Sequence, residues 1–202
     1  MIRIMGIVSL VCGLLIVTAH RGTLEPIRRN QELIMQETVA QLLPGVAKQV
    51  TYAASADGEL KVWNEPEPPP QRIIAGYDSS GALIGVVLQA AERGYADMIV
   101  GMYAYSPAKQ AVIGFKVVEM KETPGLGDKI STDPRFLSNF RELDATHPIV
   151  TVKSGTKKNA WEVDAISGAT ISSRAVGRML QKSTQQMAPV IARNRARLEK
   201  GE

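Results

Sequence analysis

Tyr95–Met120 reads YADMIVGMYAYSPAKQAVIGFKVVEM, and the fold follows from how this stretch is read. The runs Tyr95–Tyr105 and Gln110–Met120 are rich in aromatic and β-branched residues. They flank Ser106-Pro107-Ala108, which reads as a turn. In the second run Val112, Gly114, Lys116 and Val118 alternate with Ile113, Phe115, Val117 and Glu119. That period suits a strand covered mainly on one face. The whole stretch is an antiparallel hairpin. Working outward, Arg72–Tyr77 and Ala82–Ala90 flank Ser79-Ser80-Gly81 as a second hairpin. Val46–Ser55 reads as a further strand ending at Ala56-Asp57-Gly58.

Downstream, a short helix is expected near Pro134–Leu143. A strand at Ile149–Lys153 then leads through Ser154-Gly155-Thr156 to Trp161-Glu162-Val163. The last element is helical, because Ile171, Ala175, Met179, Ser183 and Met187 recur every fourth residue beside Val176 and Leu180. Its basic tail, Arg193 to Lys200, reads as a solvated face. The proline-rich stretch from Asn64 to Pro70 suits neither a helix nor an inner strand and is an exposed connector. The fold class is α+β, an antiparallel sheet with packed helices.

Composition narrows the function. The chain has 202 residues, 45% of them hydrophobic, and a net charge of +4. No run of five like charges occurs, so a nucleic-acid surface is not expected. Cys12 is the single cysteine, and His20 and His147 lie far apart in sequence. A disulfide, a metal centre and a Ser-His-Asp triad therefore lack their parts, and no catalytic residues are assigned.

From Ile4 to Ala19 the chain carries no charge. Sixteen helical residues reach about 24 Å against a hydrocarbon core of about 30 Å, and Arg3 and Arg21 can snorkel to make up the difference. We read the segment as a single retained transmembrane helix; a cleaved leader ending at Val17-Thr18-Ala19 is the competing reading. The charge pattern is indifferent to orientation, since Arg3 lies on one side and Arg21, Arg28 and Arg29 on the other. Thr23 is the expected cap of a following stalk helix that Pro44-Gly45 ends. The expected division is a membrane anchor over residues 1–21, a stalk helix over 22–45 and one domain over 46–202.

Two motifs carry chemistry. Asp164–Ser172 reads DAISGATIS at a strand-to-helix junction. A helix start presents unpaired N–H groups and favours a phosphate. Gly168 and Ala169 permit close approach, Thr170 supplies a hydroxyl, and Arg174 lies one turn on along the same face. The second motif, Glu122–Gly127, reads ETPGLG directly after a strand.

Together these motifs resemble the covalent FMN-binding domain family, which includes the G subunit of the Rnf complex and the C subunit of the sodium-translocating NADH:quinone oxidoreductase. Asp164, Ser167, Gly168, Ala169, Thr170 and Ser172 fill every defined position of the family pattern D-x-x-[ST]-G-A-T-x-[ST]. The order of the N-terminal helix, Leu43-Pro44-Gly45, the hairpins and both motifs favours the Rnf subunit. The resemblance implies FMN joined through its phosphate to Thr170 by a flavin transferase that reads Asp164. It also implies that Ser167, Gly168, Ala169, Ser172 and Arg174 surround the link, with Thr123, Leu126 and Gly127 near the flavin ring. The implied function is an electron-transfer flavoprotein subunit of an ion-translocating ferredoxin:NAD oxidoreductase, without turnover in isolation. Its partners would be the other subunits of that complex. Its place would be the bacterial inner (cytoplasmic) membrane, single-pass, with the FMN domain on the periplasmic side. An anchored FMN-binding domain of another respiratory or regulatory system is the alternative.

Overall fold

A computed structural model describes residues 2–55, 57–65, 69 and 71–201. The chain forms two compact units, Met1–Thr38 and Val39–Glu202. Most of the proline-rich stretch (residues 66–68 and 70), and Ala56 of the expected turn, lie outside the described residues.

Helix α1 spans Ile2–Leu42. Within it Arg3–Thr23 is a 21-residue apolar stretch of mean hydropathy 1.9, none of it buried. At 1.5 Å per residue it reaches about 32 Å, enough to cross a bilayer core. Thr23 does not cap a helix. Its hydroxyl donates to the Ala19 and His20 carbonyls at 2.9 and 3.1 Å, so the helix runs through it.

In the second unit, α1 ends where Gly45 adopts φ +87°. Strands β1 (Lys48–Ala54), β2 (Leu60–Val62), β3 (Arg72–Tyr77), β4 (Leu83–Arg93), β5 (Met98–Ser106), β6 (Ala111–Glu119) and β7 (Leu143–Asp144) follow. They form one antiparallel sheet in the order β2-β1-β3-β4-β5-β6-β7. The β3–β4 turn has a local cause. Asp78 Oδ1 accepts the Ser80 and Ala82 N–H groups at 2.8 and 2.9 Å, and Gly81 takes φ +84°. In the central hairpin Tyr103 pairs with Phe115 and Tyr105 with Val112; a register shift between Ala104 and Tyr105 interrupts the alternation, so Val112 joins Phe115 in the core.

The sheet is covered on both faces, not mainly on one. Helix α3 (Thr170–Arg193) buries Ala175, Val176, Met179, Leu180, Met187 and Ile191 against it. A Cβ on Gly101 would meet both Phe115 and Met179, which places Phe115 on the α3 side. Its neighbour Gly114 points the other way, where a Cβ would lie 3.1 Å from Leu42. Leu43 likewise fills the space over Gly76 and Gly85. The glycines thus let residues 42–43 cover part of the second face, where Val118 stays exposed. Phe115, Phe140 and Phe136 form a tilted and edge-on cluster, with centroids 4.8 and 5.1 Å apart.

Three local readings change. Helix α2 is shorter than expected, Pro134–Ser138, and is capped by Asp133 Oδ1, which accepts the Arg135 N–H at 2.8 Å. Strands β8 (Val150–Val152) and β9 (Glu162–Asp164) pair in parallel as a separate ribbon. Finally, the basic tail docks onto the domain. After Asn194 a short helix α4 (Arg195–Lys200) buries Leu198, whose carbonyl accepts the Tyr77 hydroxyl at 2.7 Å. Arg197 donates to the Leu60 carbonyl at 2.6 Å, and Arg195 pairs with Glu199 at 2.7 Å.

Candidate functional site

The site is built at the junction of β9 and α3. Ser167 and Gly168 are exposed, Ala169 is buried and Thr170 is half-buried. Gly168 takes φ +85°, the left-handed region that costs an L-residue energy and glycine none. This turn delivers the chain into α3 with Ala169 as a cap that has no side-chain hydrogen bond. The first intrahelical bond runs from the Ser173 N–H to the Ala169 carbonyl at 2.9 Å. The N–H groups of Thr170, Ile171 and Ser172 precede it and have no hydrogen-bond partner among the described residues. The Thr170 hydroxyl makes no hydrogen bond among the described residues.

The loop is held from beneath by a buried hydroxyl that the sequence pattern does not single out. Ser173 Oγ accepts the Ile166 N–H at 3.1 Å and donates to the Ala169 carbonyl at 2.9 Å. Its neighbour Ser172 is also buried and donates to Glu122 Oε2 at 2.5 Å. Glu122 opens the second motif, so this bond joins the two motifs. Leu126 approaches from the same loop, and a Cβ on Gly168 would lie 3.6 Å from Leu126 Cδ2. Gly127 is packed against both Glu122 and Ser172. Thr123 is exposed, and its carbonyl closes the turn by accepting the Leu126 and Gly127 N–H groups at 3.2 and 3.1 Å.

Two residues expected at the site are placed differently from the loop itself. Arg174 is exposed and has no ion-pair or hydrogen-bond partner among the described residues. The next basic residues in its row are engaged: Arg178 and Lys182 reach Glu92 at 3.4 and 2.6 Å. Hydrogen bonding from Lys182 leads the effects that hold the Glu92 carboxyl below its ordinary range. Asp164 has an intramolecular task. Its carboxylate accepts the Gly155 N–H at 2.7 Å and the Thr156 N–H at 3.4 Å, which ties down the 154–156 turn. Its backbone is clamped by Asn139, whose Oδ1 accepts the Asp164 N–H at 3.0 Å and whose Nδ2 donates to the Asp164 carbonyl at 3.2 Å. Lys157 donates to the same Asn139 oxygen at 3.2 Å, and burial pushes its ammonium below the ordinary lysine value.

Ile171 sits at the first turn of α3 with half its surface exposed. Leu126 is equally exposed. Two exposed apolar side chains therefore lie beside a helix start whose Thr170 hydroxyl and first N–H groups have no hydrogen-bond partner among the described residues. This matches what a flavin mononucleotide needs: donors for its phosphate and apolar surface for its ring.

The chain matches the FMN-binding domain over residues 94–185, a span that includes both motifs. Its fold is that of Shewanella oneidensis NqrC, with a TM-score of 0.58 at 24% identity over 74% of this chain and 87% of that one. The class is thus a flavin-binding α+β domain on a membrane helix. The chain is also 31% identical to the G subunit of the ion-translocating oxidoreductase complex of Methanosarcina acetivorans, over 85% of each protein. It is 30% identical to the G subunit of the Na(+)-translocating ferredoxin:NAD(+) oxidoreductase complex of Acetobacterium woodii, over 77% of this chain and 70% of that one. The chain belongs to this family, the G subunits of ion-translocating oxidoreductase complexes.

Proposed function

We propose that this chain is the membrane-anchored flavoprotein subunit of an Rnf-type ferredoxin:NAD oxidoreductase complex, with FMN joined through its phosphate to Thr170. The observation that supports the link most directly is the free Thr170 hydroxyl at an uncapped helix start beside a left-handed glycine. FMN supplies reversible electron transfer at its ring, and the protein supplies attachment, orientation and electrostatics.

In attachment the Thr170 hydroxyl oxygen bonds to phosphorus and gives up its proton, while the flavin donor used by the transferase provides the leaving group. Gly168 leaves the approach open, because a Cβ there has only Leu126 within reach. The N–H groups of Thr170, Ile171 and Ser172 and the exposed Arg174 guanidinium offset the phosphate charge. Ser167 and Ala169 complete the small-residue turn. Thr123, Leu126 and Gly127 form the wall beside the ring. A covalent tether matters because a micromolar site, worth about 8 kcal/mol, would empty on dilution.

The flavin transferase reads Asp164 in the folded turn it organises. Residues 1–21 anchor the protein, residues 22–45 form the stalk and residues 46–202 the FMN domain, which faces the periplasm. Protease added to right-side-out vesicles then digests the domain; digestion only in inverted vesicles would reverse the orientation. The attachment itself is tested by producing the full chain with a flavin transferase and examining the denatured protein. The parent fluoresces on a gel and Thr170→Val does not, although both fold. Fluorescence surviving in Thr170→Val would refute the attachment point.

A further inference from the structure

We infer that Glu122 is a positioning residue for the flavin-bearing helix start, acting through the reach of its side chain to bridge two separate loops. The inference rests on the FMN reading above and goes beyond it, because neither the phosphate link nor the ring wall requires a buried acid.

Glu122 is only 8% exposed. Its two oxygens serve different segments. Oε2 accepts from the Ser172 hydroxyl in the first turn of α3, at 2.5 Å. Oε1 accepts the Ala96 N–H at 3.1 Å, in the turn between β4 and β5. That turn is closed by a bond from the Gly94 N–H to the Asp97 carbonyl at 2.9 Å. The carboxylate lies in a slot with a glycine on each side. A Cβ on Gly94 would collide with Oε1, and one on Gly127 would lie 2.5 Å from Oε2 and 2.9 Å from Ser172 Oγ. No ion pair to Glu122 occurs among the described residues. Its compensation is the two hydrogen bonds and the positive end of α3, where an acid is favoured.

Ser172 is two residues past Thr170, and the hydrogen bonds internal to α3 begin only at Ser173. Without the Glu122 bridge, the turn that presents Thr170 keeps the Ser173 bonds and the Ala169 N–H to Ile166 carbonyl bond at 3.1 Å but loses its tie to the second motif, and it loosens. Reach is the property that matters. Glutamine can make both bonds, because its carbonyl accepts the Ala96 N–H while its amide donates to the Ser172 oxygen. Aspartate keeps the charge but is one methylene too short to span both loops.

The test uses the full chain produced with a flavin transferase in membranes, comparing Glu122→Gln, Glu122→Asp, Glu122→Ala and Ser172→Ala. Folding of each is checked by far-UV circular dichroism. Two readouts are taken on folded protein: the fraction carrying covalent flavin at a fixed early time, and the visible circular dichroism of the attached flavin. Asp and Ala variants should load about tenfold more slowly, or show an altered flavin spectrum, as expected when the bridge between the two loops is broken. The Gln variant should restore both readouts. Ser172→Ala should resemble Glu122→Ala, and it keeps the test valid if Glu122→Ala does not fold. The inference is overturned if the Asp, Ala and Ser172→Ala proteins match the parent in both readouts. It is equally overturned if folded Gln protein is no better than Ala or Asp, since charge rather than reach would then be the requirement. If the parent itself carries no flavin, the functional reading fails separately. Glu122 is then judged by amide exchange at Ala96, which should accelerate in Asp and Ala but not in Gln; equal rates in all would end the proposal.

Discussion

Gly168→Ala tests whether the Thr170 loop is held in the conformation described. Gly168 has φ +85°, and an L-residue in the left-handed region costs about 1–2 kcal/mol. Steric conflict adds little, because the new methyl would meet only Leu126 Cδ2 at 3.6 Å, an ordinary contact. Against the cost stands the lower entropy of the unfolded alanine chain, which returns about 0.4–1 kcal/mol. The net loss is about 1 kcal/mol, or a melting temperature lower by about 2–4 °C for a domain of this size. The same energy is about a fivefold bias against the loop conformation that presents Thr170. Thermal melting of the detergent-solubilised chain and the early rate of flavin attachment by in-gel fluorescence measure the two effects. Gly168→Asn is the control, since asparagine tolerates the left-handed region better, and it should fall between parent and alanine. Parent-like melting and loading in Gly168→Ala would show that no left-handed residue is required there. Asparagine behaving no better than alanine would show that the loss has another cause.

Asp164→Ala should lower both the melting temperature and the flavin loading, because it frees the Gly155 and Thr156 N–H groups as well as removing a motif position. The stability loss should be about 1–2 kcal/mol, and unchanged melting would reduce Asp164 to a recognition mark alone. Glu92→Gln should destabilise the folded chain at neutral pH by roughly 0.5–1 kcal/mol through loss of the Lys182 and Arg178 pairs. The folded carboxyl is held below its ordinary value, so its stabilisation is complete above the unfolded pKa and is lost as pH falls through the folded one. The difference in melting temperature between parent and Glu92→Gln should therefore shrink as pH falls below the ordinary glutamate value and close once it passes the lowered folded one; a gap that persists in acid would mean the ion pairs are not its source.

Much of this protein is legible in one dimension because the physics there is local. Alternation over Ala111–Glu119 marks a strand, and Ser79-Ser80-Gly81 marks a turn that Asp78 then holds. The apolar N-terminal segment and the SGAT helix start are equally local patterns. What the linear chain does not determine is which surfaces close on one another. Val112, Gly114, Lys116 and Val118 read as one alternating row, yet a register shift turns Val112 into the core while Leu42 lies over Gly114, where a glycine leaves room that only the folded chain can fill. Ile171 opens the helical repeat yet is half exposed, whereas Ala175, Met179 and Met187 of the same repeat are buried. The tail Arg193–Lys200 reads as solvated, but Tyr77 and Leu60, more than a hundred residues earlier, anchor it. Glu122 is the sharpest case. In sequence it is the first letter of a glycine-rich turn; its burial, its bond to Ser172 fifty residues away and its slot between two glycines arise only when three segments meet. A hydrogen bond across such a separation leaves no periodic trace in the sequence, so tertiary structure alone decides it.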